Sequence, residues 1–393
     1  YGCLRSRAPA RVCAKRTLKK TGEKNVERIK QFVKKETVLS AAILLAAVSC
    51  FFVVPDREYL GYIDTRTLEL LFCLMAVMAG FQELGVFRLL GAALLRQVHS
   101  ERGVAASLVF LCFVCSMVIT NDVALVTFVP FAVLVLGMAG MEKRVCITVV
   151  LMTIAANLGS MLTPIGNPQN LYLYALSGMG MGPFVALMAP YAAASAAMLA
   201  GGLAFAFSDR TVECPLECPP APNGKRLGLY LALFALCLLT VSGLLREELL
   251  LAAVVLAVLV DQRGLLARVD YGLLLTFAAF FIFIGNMGRL PGFCRFLERV
   301  LAGNERLAAV AASQVISNVP AALLLSGFTD QWRELIIGTN LGGLGTLIAS
   351  MASLISYKQI AVHFPEKKGR YLAVFTVWNL GFLAVLLGLS AAL

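Results

Sequence analysis

Length, composition and charge already exclude a water-soluble protein. The 393 residues are 59% hydrophobic and only 15% charged, with a mean hydropathy of +0.82, whereas soluble globular domains are about 45–50% apolar and about 25% charged. The formal net charge of +11 does not indicate nucleic-acid binding, because residues 1–36 alone hold 12 Lys/Arg and 3 Asp/Glu and the remainder is close to neutral.

The basic tail, residues 1–36, directly precedes the first apolar segment. Lys and Arg are retained on the cytoplasmic side of spanning segments, so we expect the amino terminus in the cytoplasm and the protein in the cytoplasmic (inner) membrane. Clustered cations beside a membrane also attract anionic lipid. Membrane lipid is therefore an expected partner, and nucleic acid is not.

Long apolar segments indicate an all-α polytopic membrane protein. A helix needs about 20 mostly apolar residues to span a bilayer. The uninterrupted segments that approach this length are 37–54, 66–82, 183–206, 226–244, 248–260, 271–288 and 371–392.

Four further apolar segments are interrupted by polar residues. Segments 104–138 and 306–328 are interrupted at their centres, and segments 144–176 and 334–357 contain clusters of Asn, Gly, Ser and Pro. Gly and Pro are unfavourable within a helix. We predict that the first two segments are re-entrant helical hairpins and that the other two are broken transmembrane helices. The hairpin tips are Thr120-Asn121-Asp122 and Ser317-Asn318-Val319-Pro320.

The chain also resembles itself. An offset of 205 residues places Gly80 on Gly285, and an offset of 183 places Asn157 on Asn340. Both copies have the order span, span, interrupted hairpin, broken helix, span. If each hairpin enters and leaves by one face, the number of crossings between the two starts is odd, which inverts the second copy. The comparison also pairs Asp56 with Asp261, Asp64 with Asp270 and Thr163 with Thr346.

This inverted repeat defines the predicted organisation. After the basic tail come a first repeat, 37–206, a polar linker and connecting helix, 207–246, and a second repeat, 247–393. In this topology the Lys and Arg residues of the loops lie on the cytoplasmic face, except for one segment. Four arginines would lie outside, where we expect an interfacial helix with snorkelling side chains. They are Arg289, Arg295, Arg299 and Arg306.

Non-helical backbone at membrane depth points to a functional site. It cannot face lipid, because each unpaired N–H or C=O costs several kcal/mol there. The interrupted elements must therefore line a polar cavity. One hairpin tip would come from the cytoplasm and the other from outside, which is the arrangement of secondary transporters with inverted repeats.

The helix after each tip offers free N–H groups and a positive dipole end, which favour an anion. Val123 supplies such a group in the first copy. No Lys or Arg lies near either tip, so accompanying cations must help to neutralise a bound anion, which predicts symport. The predicted substrate-binding residues are Thr120, Asn121, Val123, Thr163, Asn167, Ser317, Asn318 and Thr346.

Asp122 is the one acidic residue at the polar breaks of these segments, and a carboxylate at membrane depth is a functional candidate because it is costly. The oxygens of the broken segments are hard ligands that suit Na⁺. We expect no cofactor other than Na⁺ or H⁺ as the coupling ion. The predicted cation-coupling residues, a candidate Na⁺ site, are Asp122, Asn121, Asn157, Gly159, Ser160, Asn318, Asn340, Gly342 and Gly343.

Simpler roles stay open for several of these residues. Thr120, Ser317 or Asp122 could act only as helix caps. Gly342 and Gly343 could act only as close contacts between helices. These alternatives weaken because the same polar breaks recur in register in both copies.

The interrupted segments resemble those of the ion transporter superfamily, which unites citrate and divalent-anion symporters with arsenical-pump permeases and related sodium/proton antiporters. The resemblance covers about 37–393. It implies paired re-entrant hairpins in a moving transport domain, an elevator-like stroke and a scaffold domain that often dimerises, so a homodimer through the scaffold is one expectation. The similar segments are TNDVA at 120–124, GSMLTPIGNPQN at 159–170, SNVP at 317–320 and GTNLGG at 338–343.

The tips differ from those of the divalent-anion symporters, in which both read Ser-Asn-Thr. Ser317 and Asn318 keep two of the three residues, whereas Asp122 replaces the third at the first tip. That feature is similar to the arsenical-pump and antiporter branch. The expected function is therefore a secondary active transporter for a small anion or oxyanion, of carboxylate or metalloid type, coupled to Na⁺ or H⁺. A sodium/proton antiporter is the alternative.

Two other classes of function are weaker. A membrane-embedded enzyme would need a nucleophile or a metal site, and the sequence has neither Gly-x-Ser-x-Gly nor His-Glu-x-x-His. A passive channel would share the broken helices but would not require two opposed hairpins. A saturable flux that follows an ion gradient would separate a transporter from a channel.

Overall fold

The protein is helical throughout the residues that its computed structural model describes, 36–212 and 220–393, apart from turns and one isolated bridge between Ser100 and Thr211. Seven of the helices are long and apolar enough to cross a membrane. The prediction of an all-α protein with several spans is thus confirmed. The predicted basic tail lies outside the described residues except for Glu36.

The first half of the chain contains nine helices among the described residues. They are α1 (Thr37–Phe52), a single turn α2 (Tyr59–Tyr62), α3 (Thr65–Glu83), α4 (Val86–Leu95), α5 (Glu101–Cys115), α6 (Asn121–Met138), α7 (Val145–Gly159), α8 (Pro168–Ser177) and α9 (Met181–Ala206). Two 3₁₀ turns, Ser160–Leu162 and Pro164–Gly166, join α7 to α8.

The second half follows a connecting helix, α10. The helices are α10 (Gly224–Val241), α11 (Glu247–Asp261), α12 (Tyr271–Gly288), α13 (Pro291–Leu301), α14 (Glu305–Ile316), α15 (Asn318–Ser326), α16 (Trp332–Leu341), α17 (Met351–His363) and α18 (Lys368–Ala392). All four predicted interruptions are helix breaks: between α5 and α6, α7 and α8, α14 and α15, and α16 and α17.

Corresponding helices begin for the same chemical reason. Asp64 precedes α3 and accepts a hydrogen bond from the N–H of Thr67 (3.2 Å). Asp270 precedes α12 and accepts one from the N–H of Leu273 (2.9 Å). An aspartate that satisfies a free N–H in the first turn stabilises a helix start. The pairing of these two residues in the sequence comparison therefore reflects a shared helix cap.

Helices of the first half pack against helices of the second half. Helix α1 packs on α12, and α3 packs on α11, so the first span of each half lies against the second span of the other. Likewise α6 contacts α17 and α15 contacts α8. The span containing α7 is 89% buried, whereas α10 is 28% buried. The broken helices therefore form the centre of the protein, and the connecting helix lies at its perimeter.

Gly80 and Gly285, which the sequence comparison pairs, each receive a tyrosine ring. A Cβ atom at Gly80 would lie 2.1 Å from the ring of Tyr230, and one at Gly285 would lie 2.3 Å from the ring of Tyr62. Neither position has room for a side chain. These two glycines are therefore required by packing between helices.

Replacing Gly285 with alanine is expected to destabilise the protein by about 1–3 kcal/mol, since the new methyl group overlaps the Tyr62 ring and overpacking costs that much. Gly288 lies one turn further along α12 with nothing within 4 Å of its Cβ position, so Gly288→Ala is the matched control. Thermal unfolding in detergent measures the difference. The double variant Gly285→Ala/Tyr62→Ala should regain part of the loss, and equal melting of the two single variants would contradict the packing argument.

Two of the four arginines expected outside have acidic partners. Arg289 Nη1 lies 2.7 Å from Asp56 Oδ2, and Arg306 Nε lies 2.7 Å from Glu334 Oε2. The hydrogen bond from Arg289 lowers the pKa of the Asp56 carboxyl group. Arg289 and Arg306 are thus partly neutralised at that face.

The other two, Arg295 and Arg299, lie exposed on α13. Leu297 and Leu301 of the same helix are buried. The segregation of buried leucines from exposed arginines makes α13 an amphipathic helix. The position of this helix at a membrane surface stays a prediction.

Candidate transport site

Both predicted hairpin tips are helix starts with the same local geometry. The side-chain oxygen of Asn121 accepts the N–H of Asp122 (2.9 Å), and that of Asn318 accepts the N–H of Val319 (3.0 Å). Neither Thr120 nor Ser317 makes a capping hydrogen bond through its side chain. The reading of those two residues as simple caps is therefore wrong, and the asparagines organise the tips.

Ser317 has an unusual backbone. Its φ is +74°, the one positive value at a non-glycine position among the described residues, and the residue is buried. Such a conformation is strained for a residue with a Cβ, and strain of this kind clusters at functional sites. The N–H of the next residue, Asn318, donates to the carbonyl of Ala349 (2.9 Å). The second tip is therefore tied to the break between α16 and α17.

Asn157, at the end of α7, is the centre of a buried hydrogen-bond network. Its Oδ1 accepts from Asn121 Nδ2 (2.9 Å) and from Ser350 Oγ (2.9 Å). Its Nδ2 lies 3.5 Å from Ser353 Oγ. Because Ser350 follows Ala349, the network runs from the first tip through Asn157 to the backbone that holds the second tip. The two tips thus belong to one connected polar centre.

Asn340, at the end of α16, has the corresponding partners from the first half. Its Nδ2 donates to Asn170 Oδ1 (2.6 Å), and its Oδ1 lies 3.5 Å from Asn167 Nδ2. The offset of 183 residues that pairs Asn157 with Asn340 also pairs Asn167 with Ser350 and Asn170 with Ser353. In each broken helix, the part before the break is therefore hydrogen-bonded to the part after the break in the other broken helix.

Sequence reasoning missed Asn170, Ser350 and Ser353 as members of this network. The signal was present, because the same offset of 183 aligns them with each other or with a predicted site residue. This alignment alone did not identify them, since serine and asparagine are common at helix starts and their partners are 170 to 196 positions away in the chain. Gln314 was also missed. Its Nε2 donates to the carbonyls of Gly342 (3.0 Å) and Leu344 (2.9 Å).

The predicted threonines bind backbone of the hairpins. Thr163 Oγ1 donates to the carbonyl of Met117 (2.5 Å), and Thr346 Oγ1 donates to the carbonyl of Gln314 (3.1 Å). Thr346 is exposed, and its N–H donates to Gln314 Oε1 (2.8 Å). In this arrangement both threonines link a broken helix to the hairpin beside it.

The predicted glycines lie where helices approach closely. A Cβ at Gly159 would be 2.1 Å from the carbonyl oxygen of Phe113, and one at Gly342 would be 2.6 Å from Ser313 Oγ. A Cβ at Gly343 would be 3.1 Å from Asn318 Nδ2. The helix α7 continues through Gly159 and passes into the 3₁₀ turn at Ser160, whose Oγ donates to the carbonyl of Asn157 (2.9 Å). Close packing is therefore a demonstrated role for these glycines.

A cavity of about 60 Å³ lies beside the first tip. Its polar lining is Thr120, Asp122, Asn167 and Asp270, and the rest of its lining is apolar side chains of α3, α6, α8, α12 and the 3₁₀ turn Pro164–Gly166. Asp122 Oδ1 and Asn167 Oδ1 are buried and have no hydrogen-bond partner among the described residues. No Lys or Arg lines this cavity. Its electrostatics therefore favour a cation or a proton over an anion.

Asp270 at this cavity was not anticipated as a site residue. The sequence identifies it as the counterpart of Asp64, which caps α3, and gives no sign that it lies close to Asp122, 148 positions earlier. Only the packing of α12 beside the first tip brings the two carboxyl groups to one cavity. Asp122 itself does not cap its helix, because Asn121 accepts its N–H and its Oδ1 is unpartnered.

The sequence matches the model of a citrate transporter family over residues 30–329. It is 32% identical over 332 residues to the inner membrane protein YbiR of Escherichia coli, which is 80% of this chain and 86% of that protein. It is 31% identical over 323 residues to the uncharacterized transporter MJ0456 of Methanocaldococcus jannaschii, and this match covers 81% of this chain and 87% of that protein. A shorter match to the silicon efflux transporter LSI3 of Oryza sativa is 34% identical over 138 residues, 34% of this chain and 28% of LSI3.

Proposed function

This chain belongs to the citrate transporter family, and from that premise we propose that it is a secondary active transporter for a small anion or oxyanion, driven by Na⁺ or H⁺. As a family member with several membrane-spanning helices it is a multi-pass membrane transporter. The family description favours a carboxylate, and the partial match to a silicon efflux transporter favours a metalloid oxyanion. Both remain within the proposed class of solute.

The paired hydrogen bonds at Asn157 and Asn340 are the observation that carries this proposal. They support two inverted repeats whose hairpins meet from opposite faces, because the contacts that link the two broken helices occur in equivalent pairs. Asn157 contacts Ser350 and Ser353, and Asn340 contacts their counterparts Asn167 and Asn170. A site built from equivalent elements of inverted repeats can open to either side by a relative movement of those elements. Alternating access is the property that separates a transporter from a channel.

The packing of the helices suggests which of them belong to a moving transport domain and which to a static scaffold. The hairpins α5–α6 and α14–α15, with the broken helices, form the proposed transport domain. Helices α1, α3, α11 and α12, which pair across the repeats, form the proposed scaffold and the surface for a homodimer. In this elevator-type scheme the amino terminus is cytoplasmic, and the membrane is the inner one, as the name of the Escherichia coli relative suggests.

Reconstitution into vesicles tests the function. Uptake and efflux of labelled citrate, arsenite and silicic acid are measured under imposed Na⁺ and pH gradients, with empty vesicles as the control. We expect saturable flux of at least one solute that stops when the driving gradient is collapsed. Absence of any gradient-dependent flux, in protein that elutes as a folded species, would overturn the proposal.

A sodium/proton antiporter is the second candidate, and the cavity beside Asp122 favours it. Two carboxyl groups and no basic side chain line that cavity, so a cation fits there better than an anion does. In this case Na⁺ efflux from vesicles would acidify the lumen in the absence of any anionic solute, because H⁺ enters in exchange for each Na⁺ that leaves. The symporter would require the solute for ion movement.

Replacing Asp122 with asparagine is expected to abolish coupled ion movement under either function, because the substitution removes the only carboxylate at the first tip. Flux of the driving ion, read with a pH-sensitive or Na⁺-sensitive dye in the lumen, should fall to the level of empty vesicles. Asp330→Asn, at an exposed position between α15 and α16, is the control and should leave the flux unchanged. Full coupling in Asp122→Asn would show that this carboxylate is dispensable.

A further inference from the structure

A second polar cavity lies at the amino-terminal end of α7, the end opposite to Asn157. It lies between the start of α5, the turn before α7, the segment that follows α9 and the first turn of α18. It has a volume of about 700 Å³, and its charged lining is Glu101, Lys143, Arg144, Arg210 and Arg370. Arg144 is paired with Glu101 at 2.5 Å. Within the described part of the chain, the other three cations make no ion pair.

An apolar cavity of about 350 Å³ adjoins the basic one and shares Lys143, Arg144 and Arg370 with it. Its remaining wall is largely hydrocarbon and aromatic, with Phe205 from the end of α9 and Trp378 from α18. Phe205 is 88% exposed, and tryptophan, the residue type at position 378, is enriched at membrane–water interfaces. Trp378 is seated against Gly202 of α9, since a Cβ there would lie 2.6 Å from its ring.

A free anion such as phosphate would use only the basic cavity and would gain nothing from the hydrocarbon wall. A phospholipid uses both, because its phosphodiester carries the charge and its acyl chains continue directly from it. Basic pockets between helices on the cytoplasmic side of membrane proteins bind anionic headgroups in this way. The apolar wall next to the basic side chains therefore favours a lipid as the occupant of the two joined cavities.

We propose that the joined cavities at Lys143, Arg370 and Trp378 bind one anionic phospholipid, with its phosphodiester among Lys143, Arg210 and Arg370 and an acyl chain along Phe205 and Trp378. The lipid would then contact the start of α7, whose other end carries Asn157 of the central network. It would also fill the corner between α9 and α18, the last helices of the two halves. The site is independent of the solute and of the coupling ion.

Quenching of Trp378 by brominated lipid tests this assignment. The chain has two tryptophans, so Trp332→Phe leaves Trp378 as the single fluorophore. This variant is reconstituted into phosphatidylcholine vesicles that contain a small fraction of either brominated phosphatidylglycerol or brominated phosphatidylcholine. We expect stronger quenching by the anionic lipid at equal mole fraction. Equal quenching by the two lipids would overturn the proposal.

Charge variants of the Trp332→Phe protein test whether these cavities cause the preference for the anionic lipid. Lys143→Gln/Arg370→Gln should lose it, so that both brominated lipids quench alike. Arg88→Gln/Arg263→Gln removes the same charge from exposed positions outside the cavities and should keep the preference. A preference that survives Lys143→Gln/Arg370→Gln would overturn the site. A preference that inorganic phosphate abolishes, but chloride of equal ionic strength does not, would assign the cavity to free phosphate instead.

Discussion

Replacing Asn157 with leucine is expected to abolish gradient-driven flux and to lower the melting temperature sharply. The substitution keeps the approximate volume of the side chain and removes both of its polar atoms. Asn121 Nδ2 and Ser350 Oγ then lose their acceptor in a buried site. A buried polar group without a partner costs about 1–3 kcal/mol, and this change leaves at least two.

The buried cysteines of the chain report the unfolding. Cys73, Cys112 and Cys146 are buried and free, so a thiol-reactive dye labels them only as the protein opens. Asn379→Leu is the matched control, because Asn379 is also fully buried but donates only to the carbonyl of Phe375 in its own helix (2.9 Å). We expect little loss of stability there. Equal losses in the two variants would mean that the network at Asn157 has no special role.

The equivalent substitution in the other half provides a second comparison. Asn340→Leu removes the partners of Asn167 and Asn170, as Asn157→Leu removes those of Ser350 and Asn121. If the two halves contribute equally to one central site, both variants lose flux. A fully active Asn340→Leu protein would argue that the second broken helix is not part of the transport site.

Replacing Gly159 with alanine should be the most disruptive single-methyl change at the site. The new Cβ would lie 2.1 Å from the carbonyl oxygen of Phe113, which is backbone of α5 and cannot rotate away. The first hairpin must therefore shift against α7, at a cost of about 1–3 kcal/mol or more. Because that hairpin carries Asn121 and Asp122, we expect loss of flux as well as of stability.

Gly137→Ala is the control for this prediction. Gly137 lies within α6 with nothing within 4 Å of its Cβ position, and alanine is favoured over glycine in a helix by about 1 kcal/mol. That variant should melt no lower than the wild type. Ser116→Gly combined with Gly159→Ala should fail to restore stability, since the clash with the Phe113 carbonyl remains. Recovery in the double variant would contradict the assignment of the clash to backbone.

Several elements could be predicted from residue types and their order. The polar clusters at Asn121 and Ser317 predicted the helix breaks, because polar residues within an apolar segment cannot be satisfied in an unbroken lipid-facing helix. The pairing of Gly80 with Gly285 predicted equivalent positions, and both proved to seat a tyrosine ring. The predicted roles of individual residues in binding solute or cation stay predictions.

Other features depended on which distant segments pack together. The sequence comparison pairs Asp270 with Asp64 and nothing more, and its position at the cavity of Asp122 follows from the packing of α12 near the first tip. Gln314 received no predicted role, yet its amide donates hydrogen bonds to carbonyls at the break of the second broken helix. A hydrogen bond between residues so far apart leaves no local mark in the sequence.

By itself the sequence determined that this protein is a helical membrane protein, where its helices break and which positions of the two halves correspond. These properties follow from local hydropathy, from the cost of breaking a helix in lipid and from self-comparison. Only the tertiary structure decided the partners of Asn157 and Asn340, the meeting of Asp122 with Asp270 and the joined basic and apolar cavities at Trp378. Each of those depends on distances between helices, which the order of residues along one helix does not specify.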